Sequence, residues 1–329
     1  MQKKAKYWEK LEDNRVRCTL CPHFCSIAPG NSGICRIRSN IEGELYSIGY
    51  GKTTSISMDP IEKKPLYHFK PGTLVLSIAP NGCNLRCKWC QNWEISQNSV
   101  PTRQIEPELL VATALRERAS GIAFTYTEPL IWLEYIIDVA KIGRPKGLAM
   151  IAVTNGYINP EPLDEILPYI DAMNIDLKAM DDKIYKENTG GSLEPVLDTI
   201  RHADPKSSVE VTILVVPTIN DSEHDIHTAV DFIADVNPKI PLHLSRYSPA
   251  YQFTESPTSP ETLERAYIIA KEKLSYVYIG NLFFSGVDDT FCPKCGNLLV
   301  KRKGFTAAIV GISEDGKCRN CETKVDFAL

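Results

Sequence analysis

Three groups of cysteines carry the chemistry open to this chain, and their spacings set them apart. Cys83, Cys87 and Cys90 fall within eight residues, in Cys83-Asn-Leu-Arg-Cys-Lys-Trp-Cys90, after the apolar run Thr73-Leu-Val-Leu-Ser-Ile-Ala79 and the turn Pro80-Asn-Gly82. Three thiols cannot all pair with one another, but three thiolates can bind three irons of a four-iron four-sulfur cluster. The fourth iron is then left without a protein ligand, free to take a small molecule. An electron-carrier cluster would want a fourth cysteine close by, and the next one along the chain is Cys292. The competing reading of the triplet is a zinc site or a set of reduced surface thiols.

The outer groups have four members each, so that four, three and four use up all eleven cysteines. In a reducing compartment clustered cysteines mean metal rather than disulfide. Cys18, Cys21, Cys25 and Cys35 lie in a stretch rich in turn residues and poor in periodic pattern, where a metal has to supply the organisation that a core cannot. All four are expected to bind one metal. His23 lies between two of them, and the spacing leaves structural zinc and an auxiliary iron–sulfur cluster both open, zinc being preferred. Cys292-Pro-Lys-Cys295 and Cys318-Arg-Asn-Cys321 form two knuckles of zinc-ribbon type, with the β-prone Phe305-Thr-Ala-Ala-Ile-Val-Gly-Ile312 between them. Mononuclear iron is the minor reading there. The run Lys301-Arg-Lys303 is expected to be a solvated turn.

At 329 residues and 43% hydrophobic content the chain has room for one large α/β domain with small appendages. Its 37 basic and 41 acidic residues leave a formal charge of -4, which gives no global electrostatic reason to expect nucleic acid or an anionic membrane as partner. No apolar run follows the N-terminal lysines, and none approaches the ~18 residues of a spanning helix. A cytoplasmic location is expected.

The elements that position these cysteines follow from the pattern after Thr73, where short apolar strands alternate with longer amphipathic helices. Strands are expected near 73–79, 121–126, 148–153, 172–177, 208–216 and 240–245, with one more at 276–280. Helices are expected near 107–119, 129–142, 161–169, 193–203, 222–235 and 260–274. Six strand–helix repeats fall short of the eight of a closed barrel, so the expected α/β fold is a partial (β/α)6 TIM-like barrel with a lateral mouth. It would occupy 73–285, after an N-terminal cysteine-rich segment and connector (1–72) and before a zinc-ribbon-like domain (286–329). Tyr67 and His68 read as a packed aromatic edge, and Trp93 as core. Functional groups in such folds sit at the C-terminal strand edge. There the chain places Thr125-Tyr-Thr-Glu-Pro129, Thr154-Asn-Gly156, Asp176-Leu-Lys178, Pro217-Thr-Ile-Asn-Asp221 and His243 with Ser245-Arg-Tyr247.

The spacing Cys83-x3-Cys87-x2-Cys90 resembles the signature of the radical S-adenosylmethionine (SAM) superfamily. The small molecule that chelates a bare iron through amino and carboxylate groups is then SAM. The chemistry implied is one-electron cleavage to methionine and a 5′-deoxyadenosyl radical that abstracts hydrogen from a substrate. By the same resemblance Glu128 stands where the superfamily has Gly-Gly-Glu, with Tyr126 and Thr127 in place of the glycines, facing the methionine ammonium. Asn155 resembles a residue reaching the methionyl carboxylate or ribose, though Asn-Gly is also an ordinary turn pair. Asp176 and Lys178 match an Asp-Leu-Lys element of the glycyl-radical-enzyme activases, where the lysine meets the cofactor carboxylate; a surface ion pair is their plainer reading. His243 matches a histidine of that branch near the ribose, and Trp89 and Gln91 fall where adenine contacts would be.

Over nearly its full length, through Cys18-Thr-Leu-Cys-Pro-His-Phe-Cys25, Asn81-Gly-Cys-Asn-Leu-Arg-Cys-Lys-Trp-Cys-Gln-Asn92 and Leu242-His-Leu-Ser-Arg-Tyr-Ser-Pro249, the chain resembles the radical enzyme of the AmmeMemoRadiSam system. That group is related to pyruvate formate-lyase activating enzymes. The resemblance implies an electron donor, an unidentified protein or small-molecule substrate, and association with a Memo-type and an AMMECR-type protein. Within the enzyme class a glycyl-radical activase is the alternative. A metal-stapled protein- or RNA-binding module without SAM cleavage is the reading from another class.

Overall fold

The computed structural model describes residues 2–282 and 286–329. Its centre is one nine-stranded sheet, ordered Val277–Gly280, Leu242–Arg246, Ser208–Val215, Ala172–Asp176, Ala149–Thr154, Gly121–Phe124, Leu74–Pro80, Lys52–Pro60 and Arg103–Gln104. The first seven are parallel. Most are rich in buried Val, Ile, Leu, Ala or Met, as strands covered on both faces have to be, while Ser208–Val215 and Leu242–Arg246 also bury Glu210, Thr212, His243 and Ser245. The sheet stays open, with Val277–Gly280 and Arg103–Gln104 at opposite ends of the strand order. The seventh parallel strand confirms the expectation at 276–280.

The connector expected over residues 41–72 is where the fold departs most from the reading of the chain. Lys52–Pro60 is a nine-residue strand running antiparallel to Leu74–Pro80, so the central sheet begins well before residue 73. Its polar sequence hid it, because only two of its nine residues are fully buried. The expected end of the barrel at 285 lies outside the described residues.

The helices follow the strands as expected. Ser222, Ser259 and Asp181 each accept a hydrogen bond from an amide in the first turn, starting Glu223–Val236, Pro260–Lys271 and Asp182–Thr189. The last of these was not expected. Its mostly charged sequence shows little apolar periodicity, but Asp181 at one end and Gly190, with φ +74°, at the other are ordinary start and stop signals. No helix among the described residues is long and apolar enough to cross a membrane.

Two small three-stranded sheets make up the N-terminal segment. They are fastened to the barrel by a buried ion pair between Arg38 and Glu134 at 3.0 Å, and by the Lys6 amide donating to the same carboxylate at 2.8 Å. The C-terminal ribbon pairs Thr290–Phe291, Leu298–Lys303 and Thr306–Ile309. Arg302 is not in a solvated turn. Its guanidinium is buried, donates to the Tyr67 carbonyl at 2.6 Å and to Thr290 Oγ1 at 2.7 Å, and lies 4.2 Å from the Tyr67 ring centre. This cation and its stacked ring lock the ribbon to the barrel.

Tyr67 and His68 are packed aromatics, as expected. His68 Nδ1 meets the Asp326 carbonyl at 2.7 Å and Nε2 meets the Tyr278 hydroxyl at 2.6 Å, which selects the neutral ring with its proton on Nδ1. Burial lowers its pKa from the ordinary 6.5 to about 4. The unfolded chain therefore takes up a proton first as pH falls, so stability is intact above about 6.5 and drains away between there and about 4. Denaturant titration at pH 7 and pH 5 should show about 2 kcal/mol lost through this residue, a loss absent from a His68→Gln chain.

Candidate active site

The Cys83–Cys90 loop leaves the C-terminal end of Leu74–Pro80 and is gripped from several sides. The Arg86 and Lys88 amides donate to the carbonyls of Thr189 and Asn188 at 2.7 and 3.0 Å, so the loop caps the C-terminus of the Asp182–Thr189 helix. On the other side the Asn81 amide group donates to the Ile95 and Asn98 carbonyls at 2.7 and 2.8 Å, fixing the turn around Trp93–Gln97. Gly82, at φ +153°, has Cys35 O only 2.2 Å from where a Cβ would stand. Glycine is required there because the N-terminal segment crosses the loop at that point.

Cys83, Cys87 and Cys90 are unpaired and half-buried. Burial pushes the Cys87 thiol up to about 12, with the Lys178 ammonium pulling the other way, and lifts Cys83 well above the ordinary thiol range. Thiols so buried ionise only where a cation compensates them. The three do not converge: among the described residues only the C-terminal four cysteines bring three or more ligand atoms within 4.8 Å of one another. Sulfurs that do not all come within 4.8 Å of one another are compatible with three corners of a cluster, whose thiolates stand roughly 6 Å apart, and would have to rearrange to hold a single zinc ion. The donor set therefore fits a four-iron four-sulfur cluster held by three residues.

Beside this loop, over the C-terminal ends of the parallel strands, is a cavity of about 610 Å³. Gln91 and Asn92 from the loop, Tyr126, Thr127, Asp176 and Ser245 line it, and Phe305 at the tip of the ribbon forms part of its wall. Its size and mix of polar and aromatic groups suit a nucleoside-sized ligand. Tyr126 has φ +67°, so the chain keeps a glycine-like backbone conformation without glycine. Asn92 donates to the Tyr126 carbonyl at 2.7 Å and Thr127 Oγ1 donates to the Pro80 carbonyl at 3.0 Å.

Other expected contacts fall elsewhere. Glu128 is buried behind the cavity, where its carboxylate accepts from the Leu130 and Asn155 amides, both at 2.8 Å, and from Thr154 Oγ1 at 2.7 Å. Burial outweighs these donors and raises its pKa to about 7. The side chain ties two neighbouring strand ends together and holds the rim from behind, and none of its oxygens lines the cavity. Asn155 faces the cysteine loop, donating to Asn84 Oδ1 at 2.9 Å and lying 3.6 Å from Cys83 Sγ. Lys178 is paired with Asp176 at 2.8 Å and stands behind it. His243 shows one edge to the cavity floor but is otherwise buried, with Nε2 2.7 Å from Glu210. Trp89 is packed among Val216, Tyr247 and Phe253 rather than facing the cavity. Trp93 is not core; it is half-buried and stacks on Tyr251.

The chain reading missed a polar group on the cavity's other side. Asp59 accepts from Lys63 at 2.9 Å, from the buried Lys64 at 2.7 Å and from the Tyr126 hydroxyl. Although burial raises its pKa, these donors hold the Asp59 carboxyl well below the usual carboxylate range. The separation of Asp59 from Lys63 by four residues was the available signal, obscured by the surrounding prolines.

Comparison with known proteins decides the family. The family description "Radical SAM superfamily" matches residues 77–233, which contain the cysteine loop, four of the parallel strands and the end of a fifth. The chain belongs to the radical SAM superfamily. It is an enzyme. An uncharacterized protein of Methanocaldococcus jannaschii is 46% identical over 99% of this chain and all of its own length. A pyruvate formate-lyase-activating enzyme of Clostridium pasteurianum is 29% identical over 47% of this chain and 67% of its own. A crystal structure of a radical SAM methyltransferase from Sphaerobacter thermophilus shares the fold, with a TM-score of 0.50 and 17% identity over 70% of this chain and 71% of that one.

The Glu128 knot yields a stability test for this radical SAM chain. Glu128→Ala strips the partner from two buried amides and a buried hydroxyl, and denaturation should show a loss of ~3 kcal/mol. Thr154→Val removes one of these bonds and should cost about 1 kcal/mol.

Proposed function

We propose that this radical SAM enzyme holds a four-iron four-sulfur cluster on Cys83, Cys87 and Cys90 and binds SAM in the adjoining cavity, to abstract hydrogen from a protein or small-molecule substrate. The single observation that carries the reading is the cavity at the strand ends, lined by the two residues that follow Cys90. The bound cluster supplies the one electron, taken from a separate donor, that splits the sulfonium into methionine and a 5′-deoxyadenosyl radical.

The chain's own residues bind and orient. The backbone of Tyr126 and Thr127 offers carbonyls to the methionine ammonium, and Asp176 stands in the same wall, held from behind by Lys178. Gln91, in the cavity wall, is held by its amide on the Ser248 carbonyl at 2.9 Å and stands beside the adenine. His243, fixed by Glu210, gives the floor under the ribose. Asn155 and Glu128 act from behind, through the cysteine loop and the rim. The Asp59 carboxylate, with Lys64 and the Tyr126 hydroxyl bound to it, is the substrate end in this reading.

A glycyl-radical activase is the second reading, favoured by the similarity to a pyruvate formate-lyase-activating enzyme. In the ribbon, Cys292 and Cys321 sulfurs lie 3.7 Å apart and those of Cys295 and Cys318 3.6 Å, close to the ~3.8 Å edge of a tetrahedral zinc–thiolate site, which supports zinc there.

Anaerobic reconstitution followed by chromatography should reveal 5′-deoxyadenosine in the presence of SAM and dithionite and none without the reductant. Cys83→Ser, Cys87→Ser and Cys90→Ser should each lower the yield by ~100-fold or more, with zinc at the ribbon unchanged. Undiminished yield from these variants, or none from the intact chain, overturns the reading.

A further inference from the structure

A second cavity, of about 460 Å³, adjoins the cysteine loop, and none of the residues lining it lines the cavity at the strand ends. Its rim is exposed at Ile34, Arg86 and Tyr251, so it is a groove rather than a closed chamber. Two guanidiniums give it its charge. Arg36 follows Cys35 and Arg86 precedes Cys87, so each of two cysteine segments contributes one. Among the described residues no carboxylate lines the groove.

The groove is built rather than incidental. Arg36 donates to the carbonyls of Ser96 at 2.8 Å and Asn98 at 3.2 Å, and to that of Gln97, so a cation closes the C-terminal end of the Trp93–Gln97 helix. The Arg86 amide is tied to the Thr189 carbonyl, which fixes where its exposed side chain leaves the loop. Ser96 is buried at the bottom. Its Oγ accepts from Gln97 Nε2 at 3.1 Å, which leaves the hydroxyl hydrogen for Cys90 Sγ, 3.3 Å away.

We infer that this groove is where an acidic one-electron carrier protein docks to reduce the centre held by Cys83, Cys87 and Cys90. The inference rests on the cluster proposed above and adds its donor. Three features converge on that partner. The two cations select a negative surface, the exposed Ile34 and Tyr251 give a protein apolar area to bury, and Ser96 brings the groove within one hydrogen bond of a cluster ligand. A small anion would answer to the first of these and has no use for the other two. The transfer is of one electron alone: the carrier is oxidised by one, the centre is reduced by one, and no bond breaks. Because the two cavities share no lining residue, the carrier can sit in the groove while the strand-end cavity is filled.

The test follows cluster reduction by stopped-flow absorbance in the full chain, reconstituted with iron and sulfide without oxygen. Two reductants are compared, a reduced plant-type ferredoxin, which is an acidic one-electron carrier, and the methyl viologen radical, a small cation. The ferredoxin rate should fall ~10-fold between about 50 and about 500 mM salt, and ~10-fold again in Arg86→Glu at low salt, with Arg86→Lys close to the parent chain. The viologen rate should not fall in Arg86→Glu. A ferredoxin rate that Arg86→Glu leaves unchanged, an equal fall with both reductants, or a cluster that viologen reduces and ferredoxin does not, overturns the inference. A parent chain with no centre that viologen can reduce is a different failure, that of the cluster reading itself, and takes the inference with it. Should Arg86→Glu fail to take up iron, Tyr251→Glu sets the same repulsive charge on the rim outside the cysteine loop, and it should slow ferredoxin and spare viologen in the same way; an unchanged ferredoxin rate there overturns the inference.

Discussion

Buried sulfur is the constraint on which this structure depends. A thiol surrounded by apolar side chains and backbone resists ionisation, and the Cys83–Cys90 loop places its sulfurs in such surroundings while holding them too far apart for one small ion. The geometry makes sense only if the loop is kept in place before any inorganic group arrives. That is why so many backbone groups converge on eight residues. The loop stops the Asp182–Thr189 helix by capping its last carbonyls, and that helix in turn fixes the loop. The N-terminal segment closes over Gly82, where a side chain would collide with the Cys35 carbonyl.

The same arrangement explains the division of labour along the rim. Residues that face the cavity, such as Gln91, Thr127 and Asp176, are supported by others that do not. Glu128 illustrates the point. A carboxylate with no solvent and three donors is costly to bury, yet it joins the ends of two adjacent strands through one side chain. The ribbon plays a comparable part at the outer wall. Arg302 stacked on Tyr67 and the His68 bridge to Asp326 and Tyr278 bring Phe305 to the edge of the cavity, so the four-cysteine ribbon helps shape the site.

Much of this was legible in the chain because the strongest signals come from burial. The parallel strands read as short apolar runs since both faces are covered, and the cysteine spacings are explicit. What escaped depends on partners distant in sequence. Lys52–Pro60 is half-buried and polar, so it resembles a loop until Leu74–Pro80 pairs with it. Arg302 reads as a surface charge between two lysines until Tyr67 is found beneath it. Glu128 and Asn155 were identified as important residues, but which way each side chain turns is set by Thr154, Leu130 and Asn84, and no periodicity reports that. Trp89 and Trp93 differ from their expected places for the same reason: the tryptophan nearest the last cysteine is the packed one, and Trp93 is half-buried against Tyr251.

The central claim is that one iron at Cys83, Cys87 and Cys90 has no protein ligand and is taken by SAM. Electron–nuclear double resonance on the reduced, oxygen-free protein, prepared with SAM carrying labelled amino nitrogen and carboxylate oxygen, measures this directly. The account predicts hyperfine coupling to both labelled atoms. Absence of both couplings, with a cluster ligated on all four irons by the protein, would contradict it.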